Sequence, residues 1–433
     1  SGVVIAPGQV LTAAHVVANA TFLQVQKVSD PDKIVAQVVA VCHDCDLALL
    51  EVSDPRLMDG LEPAELGELP DRRERVSVIG YPVGGEEISI TEGVVSRIEI
   101  QHYSHSQRNL LAITVDAAIN SGNSGGPVYR DGKVIGIAFQ THRDGENIGD
   151  VVPTTFVRRF LNAVAEQRSP DIPSLGIRTQ NLENRQLRNH IGFKELDTGV
   201  LVTAVRHEGT CDGVLKPGDT LLEVDGMPVA NNGTVNYLGR YRTRFDVGVG
   251  ERYCGDRVEM SILRAGKRLS VEASLAREPY LVRRDQYDRA PDYFVFAGLV
   301  FQVLTRDYLK TWDEWWNRAP TEFLMLYHLG ARSQERREVV LLSQVLADEI
   351  NVGYGHLFSE SVSAVNGHPP QDFRDFVIHV ERALATGKLI LETSHHGLIV
   401  LDAEKARARN QEILARYDIP SDRSPRLREL LES

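Results

Sequence analysis

The stretch "NSGNSGGP" at residues 120–127 is the place from which the chain can be read. It stands between the apolar runs "LLAITVDAAI" and "VIGIAFQ", so two buried strands are interrupted by a cluster of Gly, Asn and Ser. Such a cluster does more than reverse the chain. Gly122, Gly125 and Gly126 relieve the backbone of Cβ clashes, so that neighbouring amides can converge on one point beside the hydroxyl of Ser124.

A serine that attacks an acyl group needs a general base, a carboxylate that orients the base, and amides aimed at the developing oxyanion. In this reading Gly122, Asn123 and Ser124 supply the amides. His15 lies in "VLTAAHVV", after a Thr-Ala-Ala step at a strand end, and Asp46 lies in "HDCDLALLEV", where an acid opens an apolar strand. The order His, Asp, Ser is one of the known orders of this constellation.

The surroundings agree with a β scaffold. Up to about Ile148, short apolar strands are punctuated by Gly, Pro and Asp at the spacing of a barrel or sandwich. A helix is expected in "TTFVRRFLNAVAEQR", with Phe156, Phe160 and Val164 on one face and Thr154 or Thr155 as its cap. A turn-rich linker, "SPDIPS", closes this first part. The second part ends in a hairpin around Ala265 and Gly266. A third part repeats the layout loosely, with Phe373, Phe376, Val377, Val380 and Leu384 on one helical face. An insertion carrying Trp312, Trp315 and Trp316, which reads either as a packing face or as a subunit contact, has no counterpart in the second part.

The motifs "VLTAAHVV", "DLALLEV" and "DAAINSGNSGGPV", in this order, resemble those of trypsin-like serine proteases, and the Asn before the Ser resembles the HtrA/Deg group. The following "LGI", "GVLVTAV" and "GVLKPGDTLLEVDG" resemble the PDZ domain carried by that group. The resemblance is close over residues 1–278 and looser over 293–402, where the Trp-rich insertion points to the branch of plant Deg proteases and their bacterial relatives. It implies a mainly β chain: a trypsin-like double β-barrel protease domain at 1–168, followed by two PDZ-like α+β domains at 175–278 and 293–402. The insertion then spans about 306–337, and a charged tail, read as a helix with an exposed end, fills 403–433.

The same resemblance makes His15 the general base, Asp46 its orienter and Ser124 the nucleophile, with no metal and no cofactor. It places the S1 pocket at Ala117, Ala118, Ile148, Asp150 and Val151, whose apolar members imply cleavage after small or medium aliphatic residues. Asp150 dissents if its carboxylate points inward. Ser174, Leu175, Gly176 and Ile177 become the carboxylate-binding loop and strand edge to which an extended peptide would add, unless this domain only packs on the protease. "FAGL" at 296–299 is a poorer match, expected to assemble rather than recognise. Implied partners are unfolded proteins or peptides as substrates, and further copies of the chain in a trimer or a multiple of trimers.

Composition sets limits. A length of 433 residues fits two or three domains. Lys and Arg number 48 against 60 Asp and Glu, a net charge of −12 that opposes nucleic acid as a partner. No apolar run is long enough for a membrane-spanning segment. Four cysteines make no disulfide scaffold. Cys42 and Cys45 read as packing residues, a redox-sensitive pair or, least readily, metal ligands, whereas His102, His105, His395 and His396 read as solvated loop or turn residues. The chain opens inside a strand pattern and is read as processed or truncated, which leaves its compartment open between cell envelope, cytosol, organelle and nucleus. Two rival functions stay in view: a peptide-binding chaperone or scaffold with a resting or inactive protease domain, and a regulatory protease for one defined partner.

Overall fold

The computed structural model describes residues 1–28, 30–81, 87–120, 122–141, 148–193 and 197–432. They form two compact units, one of Ser1–Val205 with Gly209–Glu278 and the other of Arg206–Glu208 with Pro279–Ser433. The fold is mainly β, an open sheet and a closed barrel followed by two further antiparallel sheets.

In the first unit a five-stranded antiparallel sheet comes first, in the spatial order Val3–Ala6, Gln9–Thr12, Leu47–Val52, Lys33–Cys42, Leu23–Gln26. Leu47–Val52 buries every residue except Glu51, as a central strand should. A closed barrel of six strands follows: Arg75–Gly80, Ser89–Tyr103, Arg108–Val115, Pro127–Arg130, Lys133–Thr141 and Gly149–Pro153. Closure brings backbones very near one another. A Cβ at Gly93 would lie 1.9 Å from the carbonyl oxygen of Asp116, so only glycine fits there.

The helix expected after the barrel spans Thr154–Ala165 and buries Phe156, Val157, Phe160 and Ala163. Its cap differs from expectation. Pro153, the last residue of a paired barrel strand, is the N-cap, and no side chain caps the helix. The fixed φ of proline and its strand pairing set the entry, so both threonines already lie inside the helix.

Beyond the barrel, Ile177–Asn181, Val200–Val205, Thr220–Val224, Arg257–Arg264 and Lys267–Ser274 form an antiparallel sheet in chain order, with Ile177–Asn181 at its edge. The last two strands meet at Ala265 and Gly266, both at positive φ, as a two-residue hairpin requires. A separate hairpin, Thr234–Tyr237 with Tyr241–Arg244, lies on the barrel: Tyr241 Oη donates to the Pro70 carbonyl at 2.9 Å, and Ile100 N–H to Thr243 Oγ1 at 2.8 Å. One hydrophobic cluster runs from Val3 to Leu275, so barrel and later sheet share buried side chains, and a smaller one of Val10, Val17, Ile34, Leu50 and Val52 packs apart from it on the first sheet.

In the second unit six antiparallel strands stand in chain order: Tyr293–Phe296, Leu299–Val303, Val340–Val345, Glu360–Val365, Lys388–Thr393 and Leu398–Asp402. The helix Phe373–Leu384 lays Phe373, Phe376, Val377 and Val380 on them, where the first unit has its hairpin. In the insertion Trp312 and Trp315 pack beside Leu309, Phe323 and Tyr327, while Trp316 is 58 % exposed. The two readings of this insertion thus divide between its tryptophans. The helix Ala403–Arg416 packs through Ala406, Ile413 and Leu414, and Asp348 accepts from its Arg409 and Arg416 at 2.7 and 2.8 Å. Residues 296–299 make a tight turn with Ala297 and Gly298 at positive φ, and the Ala297 amide is spent on Asn410 Oδ1 at 2.9 Å.

Candidate active site

The strand Gln9–Thr12 ends in the buried pair Ala13 and Ala14, and a single helical turn, Ala14–Val17, presents His15. Opposite it, residues 43–46 join Lys33–Cys42 to Leu47–Val52, whose flanking Cys42 and Leu47 are paired. Asp46 closes this turn in the left-handed region, at φ +56°, a conformation Asp tolerates better than most residues. That twist aims its carboxylate back along the hairpin. Asp46 Oδ1 accepts the His15 backbone N–H at 2.8 Å, and Oδ2 lies 2.7 Å from His15 Nδ1. Asp46 is fully buried. A carboxylate can only accept, so Nδ1 carries the proton and Nε2 is left as the acceptor.

Gly122 and Gly125 flank the nucleophile position at φ +102° and +82°. A Cβ at Gly125 would stand 2.2 Å from Thr12 Oγ1 and 2.9 Å from Ala13 N, so the loop rests on the residues that lead into His15. Ser124 Oγ donates to the Phe139 carbonyl at 3.5 Å. The structure therefore joins His15 to Asp46 directly, whereas the Ser124 hydroxyl is turned to Phe139 and no bond from it to His15 is found among the described residues. A contact that long is weak, and rotation about Cα–Cβ gives it up at little cost. The Asn123 amide is spent on the Asn120 carbonyl at 2.9 Å, whereas no acceptor for the Gly122 or Ser124 amide is found among the described residues. The Gly122 carbonyl accepts from Ser1 Oγ at 2.6 Å, and Ser1 Oγ accepts the Tyr81 amide at 2.8 Å. Sequence reasoning did not single out Ser1, because nothing local marks a serine at a strand end as a neighbour of residue 122.

The pocket candidates fall on the barrel strand Gly149–Pro153, on the residue before it, and just past the end of the adjoining strand Arg108–Val115. Ala117 and Val151 are buried, Ala118 and Ile148 half-buried. Asp150 is fully buried and accepts from Thr114 Oγ1 at 2.7 Å and Gln140 Nε2 at 2.9 Å. Residues 146 and 147 of the same expected wall lie outside the described residues. At the peptide candidates, Ser174 pairs with Ala276, Leu175 is buried, Gly176 has φ +65° and Ile177 opens the edge strand. The Gly176 amide donates to Ser174 Oγ at 3.0 Å, and Ser174 Oγ is in turn bonded to the Glu278 carboxylate.

Cys42 and Cys45 are free and buried. Burial, and then the neighbouring Cys42, pushes the Cys45 thiol well above its usual range, so it is a protonated packing group. Among the described residues no group of three or more His, Cys, Asp or Glu could hold a metal ion. His105 departs from the solvated reading: His43 Nδ1 and His105 Nε2 are 3.0 Å apart, and the His105 ring centroid is 6.0 Å from that of His15. Its folding onto the acid turn is a tertiary contact without a local signature. His102, His395 and His396 are exposed.

Comparison with known proteins gives the same picture. Residues 1–137 match the trypsin-like peptidase domain family and residues 282–426 the PDZ domain family. The chain is 37 % identical to Protease Do-like 2, chloroplastic, of Arabidopsis thaliana, over 99 % of the chain and 71 % of that protein. It is 36 % identical to Protease Do-like 4, mitochondrial, of the same plant, over 97 % and 79 %. Among solved structures it is similar to the HtrA-type protease AlgW with decapeptide, with a TM-score of 0.51 and 26 % identity, covering 64 % of this chain and 82 % of that one. Among the described residues no helix is long and apolar enough to cross a membrane.

Proposed function

The chain belongs to the Do-like, HtrA/Deg family of serine proteases and is a serine endopeptidase; from that premise we propose that His15, Asp46 and Ser124 do the chemistry. Ser124 Oγ attacks the peptide carbonyl while His15 Nε2 takes its proton, and buried Asp46 stabilises the imidazolium that forms. The Gly122 and Ser124 amides hold the oxyanion, a narrower set than the three residues 122–124. His15 then gives the proton to the leaving amine, and water, activated by the same imidazole, hydrolyses the acyl-enzyme. The observation that carries this reading is the double hydrogen bond from His15 to a fully buried Asp46.

The substrates in this reading are misfolded or unstructured chains, cut after small or medium aliphatic residues because Ala117, Ala118, Ile148 and Val151 offer an apolar wall. The Asp150 carboxylate, held by Thr114 and Gln140, takes no part in that selection. An extended peptide would add to the edge strand at Ile177 through main-chain bonding beside Ser174, Leu175 and Gly176. A homo-oligomer built from trimers, with no nucleic acid, completes the proposal.

The test is digestion of unfolded casein by the protein and by its Ser124→Ala variant, with cleavage sites read by mass spectrometry. Loss of at least about 10⁴-fold in rate is expected in the variant, with aliphatic P1 residues in the wild type. The hydroxyl turned toward Phe139 favours a second reading, a protease at rest that mainly binds peptides. Failure of the wild-type protein to react with a fluorophosphonate probe would favour it.

A further inference from the structure

We propose that Asp44 and Arg108 are positioning residues for the catalytic acid, and that residues 170–173, beyond the barrel, are part of the active-site scaffold. The inference rests on the reading of His15, Asp46 and Ser124 as the triad.

The turn at 43–46 has little of its own to hold it. Its internal backbone bond, from the Asp46 amide to the His43 carbonyl, is 3.4 Å long, and Asp46 adopts a left-handed conformation. Yet Asp46 must hold its position beside the imidazole to within a few tenths of an ångström, because a misplacement of about 1 Å can cost about 10²-fold in rate. Support has to come from outside the turn.

It comes from the segment that leaves the barrel. Asp44, two residues before Asp46, accepts the Ile172 amide at 3.0 Å and Arg108 Nη1 at 3.1 Å through one carboxylate oxygen. Arg108, on the barrel strand Arg108–Val115, reaches past Asp44 to the carbonyls of Ile172 at 3.0 Å and Pro173 at 2.9 Å. Cys42 Sγ, just before the turn, donates to the Pro170 carbonyl at 3.0 Å. Arg159 takes the Pro170 and Asp171 carbonyls at 2.8 and 2.6 Å. Each of the four carbonyls at 170–173 is thus bonded to a side chain of the protease domain, and Ile172 is fully buried.

A mere linker would leave those carbonyls to water. Here the bonds converge on Cys42, just before the turn that presents the acid, and on Asp44 within it, and the planar fork of Arg108 joins Asp44 to residues 172 and 173 in a way a point charge does not reproduce. Asp44 and Arg108 touch neither substrate nor the reacting atoms. Their effect passes through the geometry of Asp46.

The variants are Asp44→Asn, which keeps an acceptor for Ile172 and loses the charge facing Arg108, and Arg108→Lys, which keeps the charge and loses the fork. Each is expected to lower kcat on a peptide substrate by about 10- to 100-fold, with KM changed by less than about twofold, and to slow fluorophosphonate labelling of Ser124 equally. Tyr241→Phe, which removes a bond to Pro70 far from the turn, controls for stability alone. It is expected to lower the melting temperature and leave labelling unchanged. If Asp44→Asn does not fold, Arg108→Lys carries the same comparison. Wild-type labelling rates in folded Asp44→Asn and Arg108→Lys overturn the inference and leave the triad intact. Absence of labelling in the wild type overturns the triad reading, and this inference with it.

Discussion

At the scale of single residues, the proposed chemistry turns on Asp46. It is the fully buried partner of His15 and accepts two hydrogen bonds from that one residue. Asp46→Asn keeps the shape and removes the charge, and an amide can donate to Nδ1 and so favour the wrong tautomer. A loss of about 10⁴-fold in kcat is expected, checked by steady-state kinetics beside a melting curve that shows the variant folded. Gly125 is the second decisive residue. At φ +82°, with Thr12 Oγ1 2.2 Å from any Cβ, Gly125→Ala must displace the loop that carries Ser124. The strain amounts to about 1–3 kcal/mol, and loss of casein cleavage is expected to exceed the effect on urea stability. The His15–Asp46 pair was legible in the sequence because each stands in a motif of its own, and the turn around Ser124 was legible because glycine is needed there. The rotamer of Ser124 and the left-handed φ of Asp46 were not, since neither leaves a local mark in the sequence, nor was the use of the Asn123 amide on the Asn120 carbonyl, a turn bond that residue type alone does not announce.

At the scale of elements, the edge strand Ile177–Asn181 and the loop before it form the surface on which a peptide could add. The carboxylate of Glu278 sits at the mouth of that loop, bonded to the same Ser174 hydroxyl that receives the Gly176 amide. A peptide ending in a free carboxylate therefore meets a like charge. Glu278→Gln is expected to tighten binding of such peptides by about 3- to 10-fold and to leave C-terminally amidated peptides unaffected, a gain of the order of one charge-pair interaction near a surface. Fluorescence anisotropy with the two peptide forms reads the difference, and equal tightening of both would deny the carboxylate any place in the loop. The Ala265–Gly266 hairpin was legible from its turn residues, and the edge strand only through the resemblance of residues 174–177 to a PDZ domain. The hairpin at 234–244 was not, because its exposed and buried residues answer to the barrel beneath it and to no periodicity of its own.

At the scale of the whole molecule, the second unit carries a pH signature that can be read alone, because all three tryptophans of the chain lie at 312, 315 and 316. The Arg409 guanidinium holds the Asp348 carboxyl at about 2, below the ordinary 3.8, with burial opposing and the Ile350 amide and Arg416 adding to the effect. This ties the helix Ala403–Arg416 to the sheet, in a stretch whose sequence shows only charge and suggests a tail. A carboxyl lowered on folding stabilises fully above its unfolded value and loses that contribution as the pH falls through the folded one. The arginine partners are partly exposed, so screening holds the stabilisation to about 1–2 kcal/mol at neutral pH. Asp348→Asn is accordingly expected to unfold at lower urea concentration than the wild type at pH 7. The gap should fall to about half near pH 3 and nearly close by pH 2, because protonation then removes from the wild type what the variant lacks throughout. Tryptophan fluorescence during urea unfolding measures this directly. A gap that stayed constant from pH 7 to pH 3 would mean that Asp348 holds the helix through hydrogen-bond geometry and not through its charge.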